Sequence, residues 1–393
     1  MHLPRLRSRW LAVTSVVAAL AGAFVVADPA FAQTVREGQW HLRSLDVAGA
    51  HRLTSGAGVV VAVVDTGVSP HPDLTGQLLD GANLLSLGNR QVDGAGHGTA
   101  MASVIAAKGG APDRLLGIAP GAKILPVKVS VGEMGIGGYS LIGAGVRWAA
   151  DHGAKVINIS GGGPRLPADT VDAVRYAMEK DAVVVASTGN RDPKAPDLVG
   201  VAAPANYPGV LAVAATDREG RVVETSMRGP EVALAAPGAD LPVAVPALDG
   251  TRAGYRNGAG GTSVAAAVVS GAAALVRARH PQLRAHEVIQ RLIATADDAG
   301  PAGRDPDYGF GRLNLGRALT AEVPPVSSNP LITAGSSASP GGSAQAGPSA
   351  GRNPARLPVG LIVGAIVGCG LVTIVVVGMV TWLVLRRRRR APV

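Results

Sequence analysis

Five short runs of β-branched and small apolar residues, separated by helical patterns, constrain this chain more than any other feature. Val59–Val64, Ile124–Val129, Lys155–Ser160, Val183–Ser187 and Val210–Ala214 are nearly continuous in Val, Ile and Ala, with no polar alternation. A strand that is apolar on both faces must be covered on both faces, as in a parallel sheet between helices. Segments 98–107, 139–152, 169–180 and 263–279 read as the covering helices. The expected fold is therefore α/β, a parallel sheet with helices on both faces. Such sheets carry their sites beyond the carboxyl ends of the strands. Asp65, Ser160 and Asn190 each stand at or just past the end of a run.

Three glycine-marked segments set out an acid, a base and a nucleophile. Asp65 closes the first run and is followed by Thr66-Gly67. His97 lies between Gly96 and Gly98, the only one of 8 histidines so flanked, and glycines there let other backbones approach closely. Ser263 opens a helix within Gly261-Thr262-Ser263-Val264-Ala265-Ala266. A serine hydroxyl is a poor nucleophile until a base takes its proton, and an imidazole serves best when a carboxylate fixes its tautomer. Alone, each segment has a plainer reading: a turn aspartate, a surface histidine, a helix N-cap. Together, in the order Asp, His, Ser, they point to nucleophilic catalysis. His71, His152 and His280 lack that setting and are expected at the surface.

Helix 263–279 is built almost wholly of small residues and is apolar all round, the pattern of a helix buried in a core. Its N-terminus would then lie at the active edge, where free N–H groups and the dipole favour a developing oxyanion. Ser187-Thr188-Gly189-Asn190 offers a second donor, the Asn190 side-chain amide, beside the Ser263 N–H. Gly135-Ile136-Gly137 and Ser160-Gly161-Gly162 are segments against which a peptide backbone could lie as an added strand. A phosphate cradle is the rival reading, but neither segment fits G-x-G-x-x-G or G-x-x-x-x-G-K-[ST]. The 107–118 loop lacks the dense oxygen ligands a hard cation needs, so neither a metal nor another cofactor is expected.

The two ends have a different character. Arg5, Arg7 and Arg9, the apolar stretch Leu11–Ala27 and Ala30-Phe31-Ala32 read as a secretory signal over residues 1–32. Residues 33–320 form the expected catalytic domain, and 321–356 a Pro/Gly/Ser-rich linker. Within 357–385, Val359–Leu385 is a run of 27 uncharged residues, longer than the ~20 that cross a bilayer. Arg386–Arg390 follow at once, which places the tail 386–393 in the cytoplasm and the domain outside. The net charge of +9 is topogenic: residues 33–320 hold 27 basic and 26 acidic side chains, so nucleic acid is not an expected partner. The single cysteine, Cys369, falls in the span, so the domain must be held by its core rather than by disulfides.

With these residues in place, the chain resembles the subtilisin-like serine proteases over about residues 40–320. The likeness extends to Val127-Lys128-Val129, Val156-Ile157-Asn158-Ile159-Ser160 and Ala203-Pro204-Ala205-Asn206-Tyr207-Pro208. It implies a subtilisin-like fold with Asp65, His97 and Ser263 as triad and Asn190 in the oxyanion hole. It also implies that Gly135, Ile136 and Gly137 form one substrate-binding strand. Ser160, Gly161 and Gly162 would form the other and wall the S1 pocket. Within the family the chain looks most like the mycosins, membrane-anchored proteases of type VII secretion. The shared features are Gln39-Trp40-x-Leu42, the signal, the tether and one C-terminal transmembrane helix with a basic end. Mycosins usually carry cysteine pairs, and this chain has none. Ala267 stands where the family usually has Pro, and Val264 where Met is common. Residues 33–64 are too few for a folded inhibitory prodomain of subtilisin type.

The expectation is a serine endopeptidase of the cell membrane, single-pass, with its catalytic domain extracytoplasmic. It would act on protein or peptide substrates beside a type VII secretion membrane complex. Two alternatives stay open: a free-standing surface subtilase, and a scaffold whose proteolysis is secondary. A complete set of Asp65, His97, Ser263 and Asn190 argues against a dead enzyme, but not against a scaffold that also cuts.

Overall fold

The computed structural model describes residues 34–85, 92–132, 138–191, 200–247 and 252–332. The chain divides into two units, Met1–Ser336 and Ser337–Val393, and the described residues all belong to the first. The expected signal, the expected span and Gly135, Ile136 and Gly137 lie outside the described residues. Among those described, no helix is long and apolar enough to cross a membrane.

Three short helices, α1 (Val35–Gly38), α2 (Trp40–Ser44) and α3 (Val47–Leu53), lead into β1 (Val60–Asp65). Then come β2 (Ala82–Asn83), α4 (His97–Ala106), β3 (Lys123–Lys128), α5 (Ile142–Asp151), β4 (Val156–Ile159) and α6 (Asp169–Glu179). β5 (Val183–Ser187), β6 (Leu211–Thr216) and β7 (Leu234–Pro237) complete the main sheet. A hairpin of β8 (Leu241–Val245) and β9 (Gly254–Ala259) precedes α7 (Thr262–Arg279), α8 (Ala285–Ala294) and α9 (Leu315–Thr320).

The sheet has the order β2-β3-β1-β4-β5-β6-β7, and every pairing in it is parallel. All five expected strands and all four expected helices are present, with no end more than three residues from expectation. From β1 the chain builds β2 and β3 on one side, then crosses to build β4 on the other. β1 is thus the switch point at which such sheets hold their sites, and Asp65 is its last residue.

Period-2 alternation divides each strand between two apolar layers. Val61 and Val63 enter the layer beneath α4, α7 and α8, while Ala62 and Val64 enter the layer beneath α5 and α6. Helix α7 crosses the first layer with 15 of its 18 residues buried, as its composition requires. Gly271 makes that possible: a Cβ there would stand 2.6 Å from Ile118 Cβ.

The residues before β1 belong to the domain. Gln39 pairs with the Leu116 backbone in both directions at 2.9 Å, and Trp40 Nε1 donates to the Ala239 carbonyl at 2.9 Å. At the far end, Asn329 Nδ2 donates to the Gly209 carbonyl at 2.8 Å, so residues up to 332 still lie on the domain.

Two histidines correct the sequence reading. His71 is not at the surface but 5% exposed. Its Nδ1 accepts the Asp73 N–H at 3.1 Å, its Nε2 meets the Gly254 carbonyl at 3.1 Å, and its ring lies edge-on to Tyr255. An imidazole satisfied at both nitrogens is free to be buried. His280 is half-buried, its Nε2 3.1 Å from the Leu319 carbonyl.

Candidate active site

The carboxylate at the end of β1 is held before it meets any partner. Asp65 is 7% exposed, and the Thr66 N–H donates to its Oδ1 at 2.7 Å. His97 is the first residue of α4, preceded by Gly96 at φ +84°, a conformation that glycine takes without strain. Its Nδ1 lies 2.8 Å from Asp65 Oδ1 and 2.9 Å from Oδ2. With Nδ1–H donating to the carboxylate, Nε2 carries the lone pair and can act as a base. Glycine at 98 is what permits this approach: a Cβ there would run into the Gly67 carbonyl oxygen.

A buried carboxylate that the sequence reading missed fastens these two elements together. Asp93 is fully buried and accepts five hydrogen bonds. Thr66 Oγ1 and the N–H groups of Ala95 and Gly96 donate to Oδ1 at 2.7–3.0 Å. The Thr99 N–H and hydroxyl donate to Oδ2 at 2.8 and 2.7 Å. Lys128, across from Asp65 on β3, donates to the carbonyls of Thr66 and Val92 at 2.8 and 2.7 Å. Burial pushes its ammonium pKa down, against the charge of Asp93. The available signal was Asp93-Gly94-Ala95-Gly96, an Asx-turn pattern directly before a helix.

On the other side of the edge, Ser263 is the second residue of α7, after Gly261 at φ +107°. Its N–H is one of the helix-start groups without an intrahelical partner. The Thr262 N–H and hydroxyl donate to Asn190 Oδ1 at 3.0 and 3.3 Å. That fixes the amide so that Nδ2, engaged in neither bond, remains a donor. The Ser263 hydroxyl donates to the Ser160 carbonyl at 2.8 Å, and the Ser160 hydroxyl donates back to the Ser263 carbonyl at 2.9 Å.

A cleft of about 380 Å³ runs from Asp65 and His97 to Tyr139 and Ile142, with Ser160 and Gly161 on its wall. A second depression, about 610 Å³, opens from Asn190 toward Asp240 and Gly258. Gly161 faces open space, whereas a Cβ on Gly162 would strike the Ala203 carbonyl. Gly163 and Ala203 pair as an antiparallel bridge behind it, which stiffens the segment. The structure thus brings Asp65, His97, Ser160, Gly161, Gly162, Asn190 and Ser263 to one edge of the sheet. An oriented imidazole, a hydroxyl at a helix start and an amide bonded to that helix start are the equipment of acyl transfer.

A family model described as the subtilase family matches residues 56–311. Fervidolysin of Fervidobacterium pennivorans is 37% identical over 296 residues, which cover 69% of this chain and 42% of fervidolysin. Mycosin-4 of Mycobacterium tuberculosis is 38% identical over 308 residues, 70% of this chain and 67% of Mycosin-4. Among solved structures, the serine protease MycP1, an essential component of the type VII (ESX-1) secretion system, is similar at TM-score 0.61 and 34% identity. That likeness covers 72% of this chain and 88% of MycP1.

Proposed function

The chain belongs to the subtilase family and is a serine endopeptidase of subtilisin type, and from that premise we propose that it cuts through Asp65, His97 and Ser263, with Asn190 in the oxyanion hole. Ser263 Oγ attacks the substrate carbonyl carbon while His97 Nε2 takes its proton; Asp65 holds the tautomer and stabilises the imidazolium. The negative oxygen of the tetrahedral intermediate receives the Ser263 N–H and the Asn190 Nδ2–H. His97 then returns the proton to the leaving amine, and water repeats the sequence on the acyl-enzyme. The observation that carries this reading is the two-oxygen contact of His97 Nδ1 with Asp65, at the edge where Ser263 and Asn190 converge.

The same reading places substrate along Ser160, Gly161 and Gly162, with Gly135, Ile136 and Gly137 as the opposing strand. It also makes the protein a mycosin, anchored in the cell membrane through residues 359–385 with its domain outside and working with a type VII secretion system. The likeness to Mycosin-4 and MycP1 and the uncharged run before Arg386–Arg390 support it. The test of the chemistry is a fluorophosphonate probe on the full-length chain, which should label the native protein and neither Ser263→Ala nor His97→Ala. Labelling of Ser263→Ala at the native rate would remove Ser263 from the role.

A further inference from the structure

Serine is an unexpected residue in the stretch 264–276 of α7, otherwise made of Ala, Val, Leu and Gly, and Ser270 is completely buried there. Nothing apolar about its surroundings calls for a hydroxyl. A serine inside a helix commonly bonds back to a carbonyl one turn earlier. Ser270 instead spends its proton across the interface between α7 and the sheet, donating to Asn158 Oδ1 at 3.0 Å. Asn158, on β4, is also fully buried. Its Nδ2 donates to Ser160 Oγ at 2.9 Å, and Ser160 Oγ donates to the Ser263 carbonyl at 2.9 Å.

We propose that Ser270 is a positioning residue for the nucleophile, acting through Asn158 and Ser160. The proposal rests on Ser263 being that nucleophile.

Proton direction links the four groups. A hydroxyl has one proton to give, and an amide has distinct donor and acceptor ends. In the sense seen here Ser270 donates to Oδ1, so the Oδ1 end of Asn158 faces α7 and the Nδ2 end faces Ser160. Ser160 Oγ then accepts from Asn158, which leaves its single proton for the Ser263 carbonyl. Were the amide reversed, Ser160 would give that proton to Asn158 and the Ser263 carbonyl would lose its partner. One side chain two turns along α7 thus satisfies the buried Oδ1 in the sense that leaves the Ser160 proton for residue 263. Ser160 holds Ser263 at two points, since its own carbonyl accepts the Ser263 hydroxyl at 2.8 Å. Fixing the start of α7 relative to β4 matters because the attacking oxygen and the Ser263 N–H share that one residue.

The full-length chain, treated with a fluorophosphonate probe, gives a limiting labelling rate and a half-saturating concentration without knowledge of the substrate. Ser270→Ala should lower the limiting rate about tenfold, short of the ~10²-fold that a 1 Å misplacement costs, at an unchanged half-saturating concentration. Rates are taken per folded molecule, from the thermal melting curve of each variant. Ser270→Cys, which keeps a weak donor of similar size, should fall between wild type and Ser270→Ala. In a Ser160→Ala background, Ser270→Ala should cost nothing further, because the link is already cut.

A Ser270→Ala rate equal to wild type would overturn the proposal. So would a change confined to the half-saturating concentration, or an equal loss in the Ser160→Ala background. Ser263→Ala, run alongside, separates the two readings. If it is inert while Ser270→Ala is normal, only the positioning role falls; if it labels, both fall.

Discussion

The proposed mechanism divides the work at this edge among a hydroxyl, an imidazole and an amide, and each can be removed separately. Asn190→Ala would leave the Ser263 N–H as the remaining oxyanion donor. On a peptide substrate, kcat should fall by the ~10²–10³ typical of a subtilisin that loses its oxyanion amide, with KM little changed. A large rise in KM instead would assign Asn190 to ground-state binding. Val264, 2% exposed, adjoins the nucleophile where a thioether is common in the family. Peroxide should spare the native chain and inactivate Val264→Met, since a sulfoxide adds a polar oxygen in a tight place. Equal inactivation of both would shift attention to Met101.

His41 tests the acid limb of stability. It is fully buried with neither ring nitrogen partnered, and burial pushes its pKa from 6.5 to about 3. Between those values the unfolded chain binds the proton and the folded chain does not. Stability therefore falls as pH drops below about 6.5, by up to ~1.4 kcal/mol per pH unit, and is untouched above it. His41→Phe should flatten melting temperature against pH in that window. The candidate catalytic residues stand out in the sequence because glycines frame each of them, whereas His41, His71 and Asp93 were hidden. Their burial depends on partners as far along the chain as Gly254, which no local pattern discloses.

Elements were readable in proportion to how fully the core covers them. β1, β3, β4, β5 and β6 announce themselves because both faces are apolar, and α7 because every face is. β7, Leu-Ala-Ala-Pro, has no β-branched residue, and β9 is largely exposed, so neither gives a periodic signal. Helix α8 carries a conventional amphipathic pattern, with Val288, Ile289, Leu292 and Ile293 buried. The tight seat of α7 yields its own prediction. Gly271→Val should push into Ile118 and cost ~1–3 kcal/mol by overpacking. Denaturant unfolding should show the loss in the midpoint, and pairing it with Ile118→Ala should recover part of it. No recovery would mean that another neighbour sets the spacing.

At the scale of the whole molecule, two expectations concern how the enzyme is deployed. If residues 386–393 are cytoplasmic, protease added to intact protoplasts should remove the catalytic domain and spare a C-terminal tag. A protected domain would reverse the topology. If the helices before β1 are structural, as the bonds of Gln39 and Trp40 imply, the chain should react with a fluorophosphonate probe in chelator without further N-terminal trimming. Labelling only after trimming would make the segment before β1 inhibitory, and labelling only after calcium would mean that a metal is required.

The burial of α7 carries one more consequence. A nucleophile on a loop can be disarmed by local opening while the rest of the protein stays folded; Ser263 sits at the head of a helix with 15 of its 18 residues buried. The backbone amides of that helix should exchange with deuterium only through global unfolding. Loss of activity on heating and loss of the fold should then be one event, and the fraction of chains that accept an active-site label should serve as a direct count of folded molecules.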